Sequence, residues 1–146
     1  MKKALAQAKR AGKKGEVPVG AVAVLNNRIV AYGHNQSITK SDPTAHAEVV
    51  ALRRAAKRLR NYRLPGIIIY VTVEPCAMCA GAMVWARVGA VVYGTRDPNQ
   101  GACGSLLDLS VQPGLNHHYA VRGGVWEEEC RTLLQRFFRE KRRKDH

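Results

Sequence analysis

Two β-branched segments, with a short stretch of small and apolar residues between them, constrain the fold of this chain most. The first runs from Ile67 to Val73 and the second from Val88 to Gly94. A nearly continuous apolar run of this length is typical of a strand that is covered on both faces. The stretch between them, from Pro75 to about Arg87, predicts a helix that opens at the proline. Strands that alternate with helices indicate an α/β protein.

The remaining segments extend this pattern in both directions. The turn signal Asn26-Asn27 joins two strands into a hairpin. Asp42-Pro43 predicts the start of a second helix, because Asp accepts backbone amides there and Pro suits the first helical position. The small residues Ala77, Ala80, Gly81 and Ala82 are expected to let the third helix pack closely on the sheet. The predicted helices are 1–14, 44–59, 75–87 and 125–143, with one helical turn at 105–109, and the predicted strands are 17–25, 28–32, 67–73, 88–94 and 119–122.

We therefore expect a three-layer α/β/α sandwich around a mixed sheet of about five strands, led by the hairpin. The length of 146 residues suits one domain, 1–146, and the sequence has neither an internal repeat nor a linker. The longest apolar stretch is far shorter than the roughly 20 residues of a spanning helix, and the N-terminus has no apolar signal region. We expect no membrane association and a cytoplasmic location.

The charge of the chain is strongly basic, with 24 Lys and Arg against 11 Asp and Glu and a formal net charge of +13. Nineteen of these cations fall in three runs, at 2–14, 53–63 and 131–144. Such clustering favours a polyanionic partner such as nucleic acid. A solvated basic surface without a partner is the alternative.

Four residues at the predicted starts of the second and third helices have the spacing of a metal site. His46 and Glu48 lie in PTAHAE, and Cys76 and Cys79 lie in EPCAMC. Residues three apart share a helix face, so both thiols can bind one ion, and His46 would complete three ligands. Free amides and the helix dipole at these positions favour thiolates. Three protein ligands leave an open position for water, which is typical of catalytic zinc.

Glu48 is the side chain best placed to move protons at such a site. Zinc lowers the pKa of a bound water from about 15.7 toward 7. Glu48 would take the proton of this bound water, pass it to a ring nitrogen of the substrate and then protonate the departing amine. Within a helix, however, His46 and Glu48 would point about 200° apart. Both can face one ion only if they lie at the end of the helix.

Other interpretations of the cysteines stay open. Cys103 could supply a fourth ligand and close a structural zinc site, in which case Glu48 would be an ordinary exposed residue. The Cys-x-x-Cys pair could also be incidental in a basic protein. For Cys103 and Cys130 the residue type favours small buried hydrophobes. Four cysteines without a signal region are more typical of ligands or free thiols than of disulfides.

His-x-Glu followed by Pro-Cys-x-x-Cys resembles the signature of the zinc nucleobase deaminases. Across nearly the whole chain the sequence also resembles the bacterial tRNA-specific adenosine deaminases. The matching stretches are GEVPVGAV (15–22), DPTAHAE (42–48), NYRL (61–64), YVTVEPCAMCAGAM (70–83), VVYGTRD (91–97), GSLLD (104–108) and PGLNHH (113–118). The resemblance implies a fold of the cytidine deaminase type and a homodimer that converts the wobble adenosine of a tRNA anticodon loop to inosine.

The same resemblance implies a role for individual residues. It implies one Zn²⁺ per subunit, bound by His46, Cys76 and Cys79, with Glu48 as the catalytic proton shuttle. Residues implied in substrate binding are Asn35, which matches the residue that hydrogen-bonds the flipped base, Asp97 and Asn116, which match loop residues contacting the anticodon, and Phe138 and Arg142 in a C-terminal helix beside the RNA.

Two alternatives for the function and one for the phenylalanines stay open. The chain could deaminate cytosine or a free nucleobase, or it could be a non-catalytic RNA-binding module that zinc stabilises. For at least one of Phe137 and Phe138, the residue type favours packing in the core.

Overall fold

A computed structural model describes residues 1–145 of the chain. Helices and strands follow one another in the order α1 (Lys2–Lys13), β1 (Gly20–Leu25), β2 (Arg28–His34), α2 (Ala47–Leu59), β3 (Ile68–Val73), α3 (Ala77–Ala86), β4 (Ala90–Thr95), β5 (Ala120–Arg122) and α4 (Glu127–Lys144). No helix within these 145 residues combines the length and the apolar character that a membrane span needs.

The strands form one mixed sheet in the order β2-β1-β3-β4-β5. β1 is antiparallel to β2 and β3, whereas β3, β4 and β5 are parallel to one another. Asn26 and Asn27 turn the hairpin with φ values of 51° and 63°. Positive φ at both positions gives the turn a twist that matches the two strands. The leading hairpin and the mixed five-stranded sheet are confirmed.

The helices cover both faces of the sheet. α1 and α4 pack on one face, and α2 and α3 lie together on the other. Ile69, Val71 and Val91 are fully buried in the sheet between these layers. The three-layer α/β/α sandwich predicted from the sequence is therefore confirmed.

Two glycines set how closely helices approach the hairpin. A Cβ on Gly20 would overlap backbone atoms of α1, and a Cβ on Gly33 would overlap the backbone of Ala47 and Ala51 in α2. Only glycine has room at either position. Gly33 thereby seats the first turn of α2 directly against β2, near the loop that follows this strand.

The predicted starts of the two helices that carry the metal motif were wrong by a few residues. α2 begins at Ala47 instead of Thr44. The carboxylate of Asp42 accepts hydrogen bonds from the amide and the hydroxyl of Thr44, at 2.9 and 2.7 Å. Asp-Pro therefore opens a local turn, as Asp often does outside helices. α3 begins at Ala77, two residues after Pro75.

One further expectation was wrong in part and another was wrong. Of the four small residues of α3, Ala80 is buried and Ala82 packs against the core, but Ala77 is exposed and Gly81 has open space beside it. The predicted helical turn at 105–109 is instead a turn that an isolated antiparallel bridge between Cys103 and Asp108 closes.

The middle basic run has structural partners. Arg54 and Arg58 on α2 donate to backbone carbonyls of β2 at 2.9 and 3.1 Å, and Arg53 lies 3.4 Å from the carboxylate of Asp42. The first two bonds cover the polar edge of an outer strand. These arginines are thus partly engaged within the protein, whereas the cations of α1 and α4 border open grooves.

Candidate metal centre and active site

Three side chains meet where α2 and α3 begin. His46 is the residue before α2 and has extended backbone, with φ −71° and ψ 154°, and Cys76 stands at the same position before α3. The Nδ1 atom of His46 lies 3.6 Å from Sγ of Cys76 and 3.5 Å from Sγ of Cys79. All three ligand atoms lie within 4.8 Å of one another.

These distances fit a tetrahedral zinc ion. With Zn–S near 2.3 Å and Zn–N near 2.05 Å, tetrahedral angles place the nitrogen and each sulfur about 3.6 Å apart. The observed separations of 3.6 and 3.5 Å agree with that value. One imidazole and two thiols also form a donor set that zinc prefers.

The protonation of the thiols suits a cation. A hydrogen bond from the Cys79 thiol, with help from His46 and against the effect of burial, lowers the pKa of Cys76 to about 4. The same hydrogen bond and burial raise the pKa of Cys79, and the bond to Cys76 raises the pKa of His46. The hydrogen bond between the thiols therefore favours a thiolate at Cys76, and binding of a cation would release the remaining thiol proton.

Cys103 lies outside this group. Its side chain is buried, with Sγ 3.9 Å from the hydroxyl of Tyr119, which in turn donates to the carbonyl of Ala80. Burial raises the pKa of the Cys103 thiol to about 12. The structure therefore does not place Cys103 as a fourth ligand beside His46, Cys76 and Cys79. Cys103 and Cys130 are both small buried side chains, as their residue type suggested.

Glu48 lies in the first turn of α2 and is only 4% exposed. Because His46 precedes the helix in extended backbone, the divergence expected within a helix does not arise, and both side chains line one cavity. Burial raises the pKa of Glu48 to about 7. A carboxyl group that titrates near neutrality can both accept and donate a proton.

An open cavity of about 270 Å³ lies over these residues. Polar side chains line it together with apolar side chains from β3, α4 and the segment before β1. Its lining residues are Val17, Val19, Asn35, His46, Glu48, Val73, Glu74, Cys76, Asp97, Leu134 and Phe138. Six of them are predicted site residues, namely Asn35, His46, Glu48, Cys76, Asp97 and Phe138.

The side-chain amide of Asn35 has one polar atom bound within the protein and one available to a ligand. Its Oδ1 accepts a hydrogen bond from the backbone amide of Ala47 at 2.8 Å. This bond satisfies one of the free amides at the start of α2. Because the backbone amide can only donate, the oxygen must face it, and Nδ2 of Asn35, a residue that lines the cavity, remains available as a donor.

The structure does not bring every predicted site residue into this cavity. Asn116 lies in a separate pocket beside Trp85, where its carbonyl accepts a hydrogen bond from Arg87 at 2.7 Å. Arg142 and Phe138 both line a depression on α4. This depression adjoins the cavity, because Phe138 lines both.

Neither phenylalanine of α4 joins the core. Phe138 is 39% exposed, and the half-buried Phe137 meets its ring edge-on, with 5.5 Å between the centroids. Phe137 lines a groove between α1 and α4. The expectation that one of these rings packs in the core was therefore wrong.

Sequence reasoning missed two buried carboxylates near the cavity. Glu16 accepts backbone amides of the loop before α2, and Glu74 accepts those of the loop after β4. Glu74 directly precedes Pro-Cys, and this position was the signal that could have drawn attention to it. The apolar wall residues Val17, Val19 and Leu134 were missed as well.

Comparison with known proteins agrees with this site. Residues 1–95 match the family described as the cytidine and deoxycytidylate deaminase zinc-binding region. The chain is 49% identical over 144 residues to the tRNA-specific adenosine deaminase of Bacillus subtilis (strain 168), covering 99% of this chain and 89% of that protein. It is 47% identical over 143 residues to the tRNA-specific adenosine deaminase of Haemophilus influenzae (strain Rd), covering 97% of this chain and 83% of that protein.

A solved structure of a tRNA deaminase is also similar to this chain. It comes from biochemical and structural studies of A-to-I editing by tRNA:A34 deaminases at the wobble position of transfer RNA. The TM-score is 0.90 at 42% sequence identity, with 92% of this chain and 97% of that chain covered. The chain belongs to the cytidine and deoxycytidylate deaminase family and, within it, to the tRNA-specific adenosine deaminases.

Proposed function

We propose that this protein deaminates the wobble adenosine in the anticodon loop of a tRNA, so that adenosine and water give inosine and ammonia. The observation that carries the proposal is the meeting of His46, Cys76 and Cys79 beside the buried Glu48 in one open cavity. Relatives that are 47% and 49% identical and named tRNA-specific adenosine deaminases support the choice of substrate.

His46, Cys76 and Cys79 would hold one zinc ion per chain. When bound there, zinc supplies the Lewis acidity that lowers the pKa of a water molecule. The ligand set belongs to a family described by its zinc-binding region, and the ligand distances support the same ion.

Glu48 moves the protons of the reaction. Its carboxylate takes a proton from the attacking water and delivers it to a ring nitrogen of adenine. It then takes the second proton from the same oxygen and passes it to the amine, which leaves as ammonia. Burial raises the pKa of Glu48 above its ordinary value, which favours a group that can return the proton it has taken.

Asn35 and the apolar walls receive the base. A base that is to reach the floor of the cavity must leave its stack, at a cost of a few kcal/mol that is least in an unpaired loop. Nδ2 of Asn35 donates to an acceptor on the extruded base. Val17, Val19 and Phe138 offer apolar surface against which the ring packs.

The rim of the cavity contacts the rest of the anticodon loop. Asp97 and Phe138 line the cavity, and Arg142 lines the adjoining depression on α4. The cations of α4 attract the phosphates, which contribute most of the affinity for nucleic acid. Asn116 lines a separate pocket, and its contact with the anticodon loop stays a prediction.

We also infer that two copies of the chain form a homodimer. Large apolar side chains are exposed along α3 and in the loop after β4, with Met78 37%, Trp85 74%, Leu106 57% and Leu107 48% exposed. Exposed apolar surface of this extent is typical of a protein interface. A second copy is the partner that the family resemblance suggests, and a cytoplasmic location, where tRNA is modified, follows from the proposed substrate.

Product analysis on synthetic RNA tests the proposed function. Anticodon hairpins that differ only in carrying A, C or G at the wobble position are incubated with the zinc-loaded protein, and the nucleosides are identified by mass spectrometry. Inosine from the A hairpin alone supports the proposal. Uridine from the C hairpin would favour a cytosine deaminase, and three unchanged hairpins would favour a non-catalytic RNA-binding module.

A further inference from the structure

Glu74 is a buried carboxylate at the end of β3 that belongs to neither the metal group nor the proton path. It is 3% exposed. Its Oε2 accepts hydrogen bonds from the backbone amides of Cys103 and Ser105, at 3.1 and 3.0 Å. Its Oε1 accepts the amide of Asp97 at 3.2 Å and the hydroxyl of Ser105. All four donors come from the segment 97–105, which we call the Asp97 loop.

The Asp97 loop is built closely around this carboxylate. A Cβ on Gly101 would overlap the carboxyl group of Glu74, so glycine is required for the loop to close over it. The amide of Gly101 donates to the carbonyl of Asp97 at 2.8 Å, and the amide of Ala102 donates to the carbonyl of Pro75 at 2.8 Å. The loop is therefore tied both to itself and to the chain immediately after Glu74.

The loop also forms part of the cavity. Asp97 lines the same cavity as His46 and Glu48. The carboxylate of Asp97 is turned into its own loop, where Oδ1 accepts the amides of Asn99 and Gln100 at 3.1 Å each. The position of this wall thus depends on the backbone of the loop, and that backbone is held by Glu74.

We propose that Glu74 is a positioning residue that holds the Asp97 loop as a preformed wall for the docking of the RNA substrate. The inference rests on the proposed function for its substrate. A loop that is ordered before binding does not lose conformational freedom when RNA binds, so the affinity is higher than for a mobile loop. Glu74 acts on binding through the loop, since its side-chain hydrogen bonds all go to residues of the Asp97 loop.

Glu74→Gln tests this role because it keeps the shape of the side chain and replaces one of its two acceptor oxygens with an NH₂ group. A glutamine has a single oxygen, so whichever way its amide faces, the NH₂ group meets donors where an acceptor is needed. We expect faster amide hydrogen exchange confined to the Asp97 loop and a rise of about tenfold in KM for the hairpin, which corresponds to about 1.4 kcal/mol. The zinc content and, within about threefold, kcat should remain those of the unmodified protein.

Two further variants make the test decisive. Ser105→Ala removes one of the four hydrogen bonds and should give a smaller change of the same kind. This variant also keeps the inference testable if Glu74→Gln fails to fold. Ile69→Val lowers the stability of the buried core away from the loop. A residue with a merely general structural role would behave like Ile69→Val, with less active protein and an unchanged KM.

The outcomes separate this inference from the proposed function. Hairpin affinity is measured by fluorescence anisotropy with a Glu48→Ala background, so that no turnover is needed. Weaker binding together with faster exchange in the Asp97 loop supports the role of Glu74 even if the unmodified protein forms no inosine, which would refute only the proposed activity. Unchanged loop exchange, or an unchanged KM and hairpin affinity in both Glu74→Gln and Ser105→Ala, would overturn the inference.

Discussion

The loop that leads from β2 to His46 is held by the carboxylate of Glu16. This residue is 1% exposed, and its two oxygens accept the backbone amides of Ile38 and Thr39 at 3.1 and 2.7 Å. Glu16→Gln keeps the shape of the side chain but leaves one oxygen for two amide donors. One amide then faces the NH₂ group and loses its partner.

The expected loss of stability follows from this geometry. Leaving one donor unsatisfied in a buried site costs about 1–3 kcal/mol. In a domain of this size each kcal/mol lowers Tm by about 2–4 °C, so the variant should melt roughly 2–12 °C below the unmodified protein at neutral pH.

The difference should depend on pH in a defined direction. Burial alone would raise the pKa of Glu16, but the amides of Thr39 and Ile38 outweigh burial and hold this pKa below its ordinary value of 4.5. A carboxyl group whose pKa is lower in the folded state stabilises the fold fully above its unfolded pKa, and this stabilisation is lost as the pH falls through the folded value. The gap in Tm should therefore be constant from pH 8 to about 5 and should narrow below pH 4.5.

Thermal unfolding followed by circular dichroism measures this gap. The two proteins are compared from pH 8 to pH 3, and Glu140→Gln on the exposed surface of α4 serves as the control for loss of one carboxylate. Equal Tm values at pH 7, or a gap that stays the same at pH 3, would show that Glu16 does not hold the loop in the way the hydrogen bonds indicate.

Three other perturbations test separate parts of the structure. Gly33→Val would force a side chain into the backbone of Ala47, so we expect a loss of more than about 2 kcal/mol in unfolding free energy and less bound zinc, measured by denaturant titration and metal analysis; a variant that keeps both would contradict the packing. Cys103→Ser should keep its zinc by the same metal analysis, since Cys103 contacts Tyr119 and lies outside the metal group; loss of zinc would restore the four-ligand interpretation. Hairpin affinity should fall with salt with a slope well above one, about 0.7 for each phosphate contacted, and Arg142→Ala should reduce the slope; a flat dependence would exclude the basic runs as the docking surface.

The central strands could be predicted because their signal is local. Burial on both faces leaves no polar alternation in 67–73 and 88–94, and such runs identify strands without knowledge of their neighbours. The start of α2 could not be placed in the same way. Asp42 suits both a helix start and a local turn, and the choice depends on where Gly33 lets the helix approach β2. Tertiary contact decided between two locally equivalent options.

The site divides along the same line. His46, Glu48, Cys76 and Cys79 could be named because each pair is close in sequence and lies near a helix start. The partners of Glu74 lie 23 to 31 residues away along the chain, so no local pattern reveals them. The role of Asn116 in RNA binding, which the resemblance implies, stays a prediction, because Asn116 lines a different pocket from the one that holds the metal group.

The pairing of a three-ligand zinc site with one proton-carrying carboxylate is tested most directly by Glu48→Ala. Zinc content by mass spectrometry and inosine formation on an adenosine hairpin are measured on the same preparation. General acid and base catalysis by one side chain contributes about 10²–10⁴-fold, so zinc should stay at one ion per chain while turnover falls by at least about a hundredfold. Inosine formation at an undiminished rate, or loss of the zinc with the carboxylate, would contradict the account.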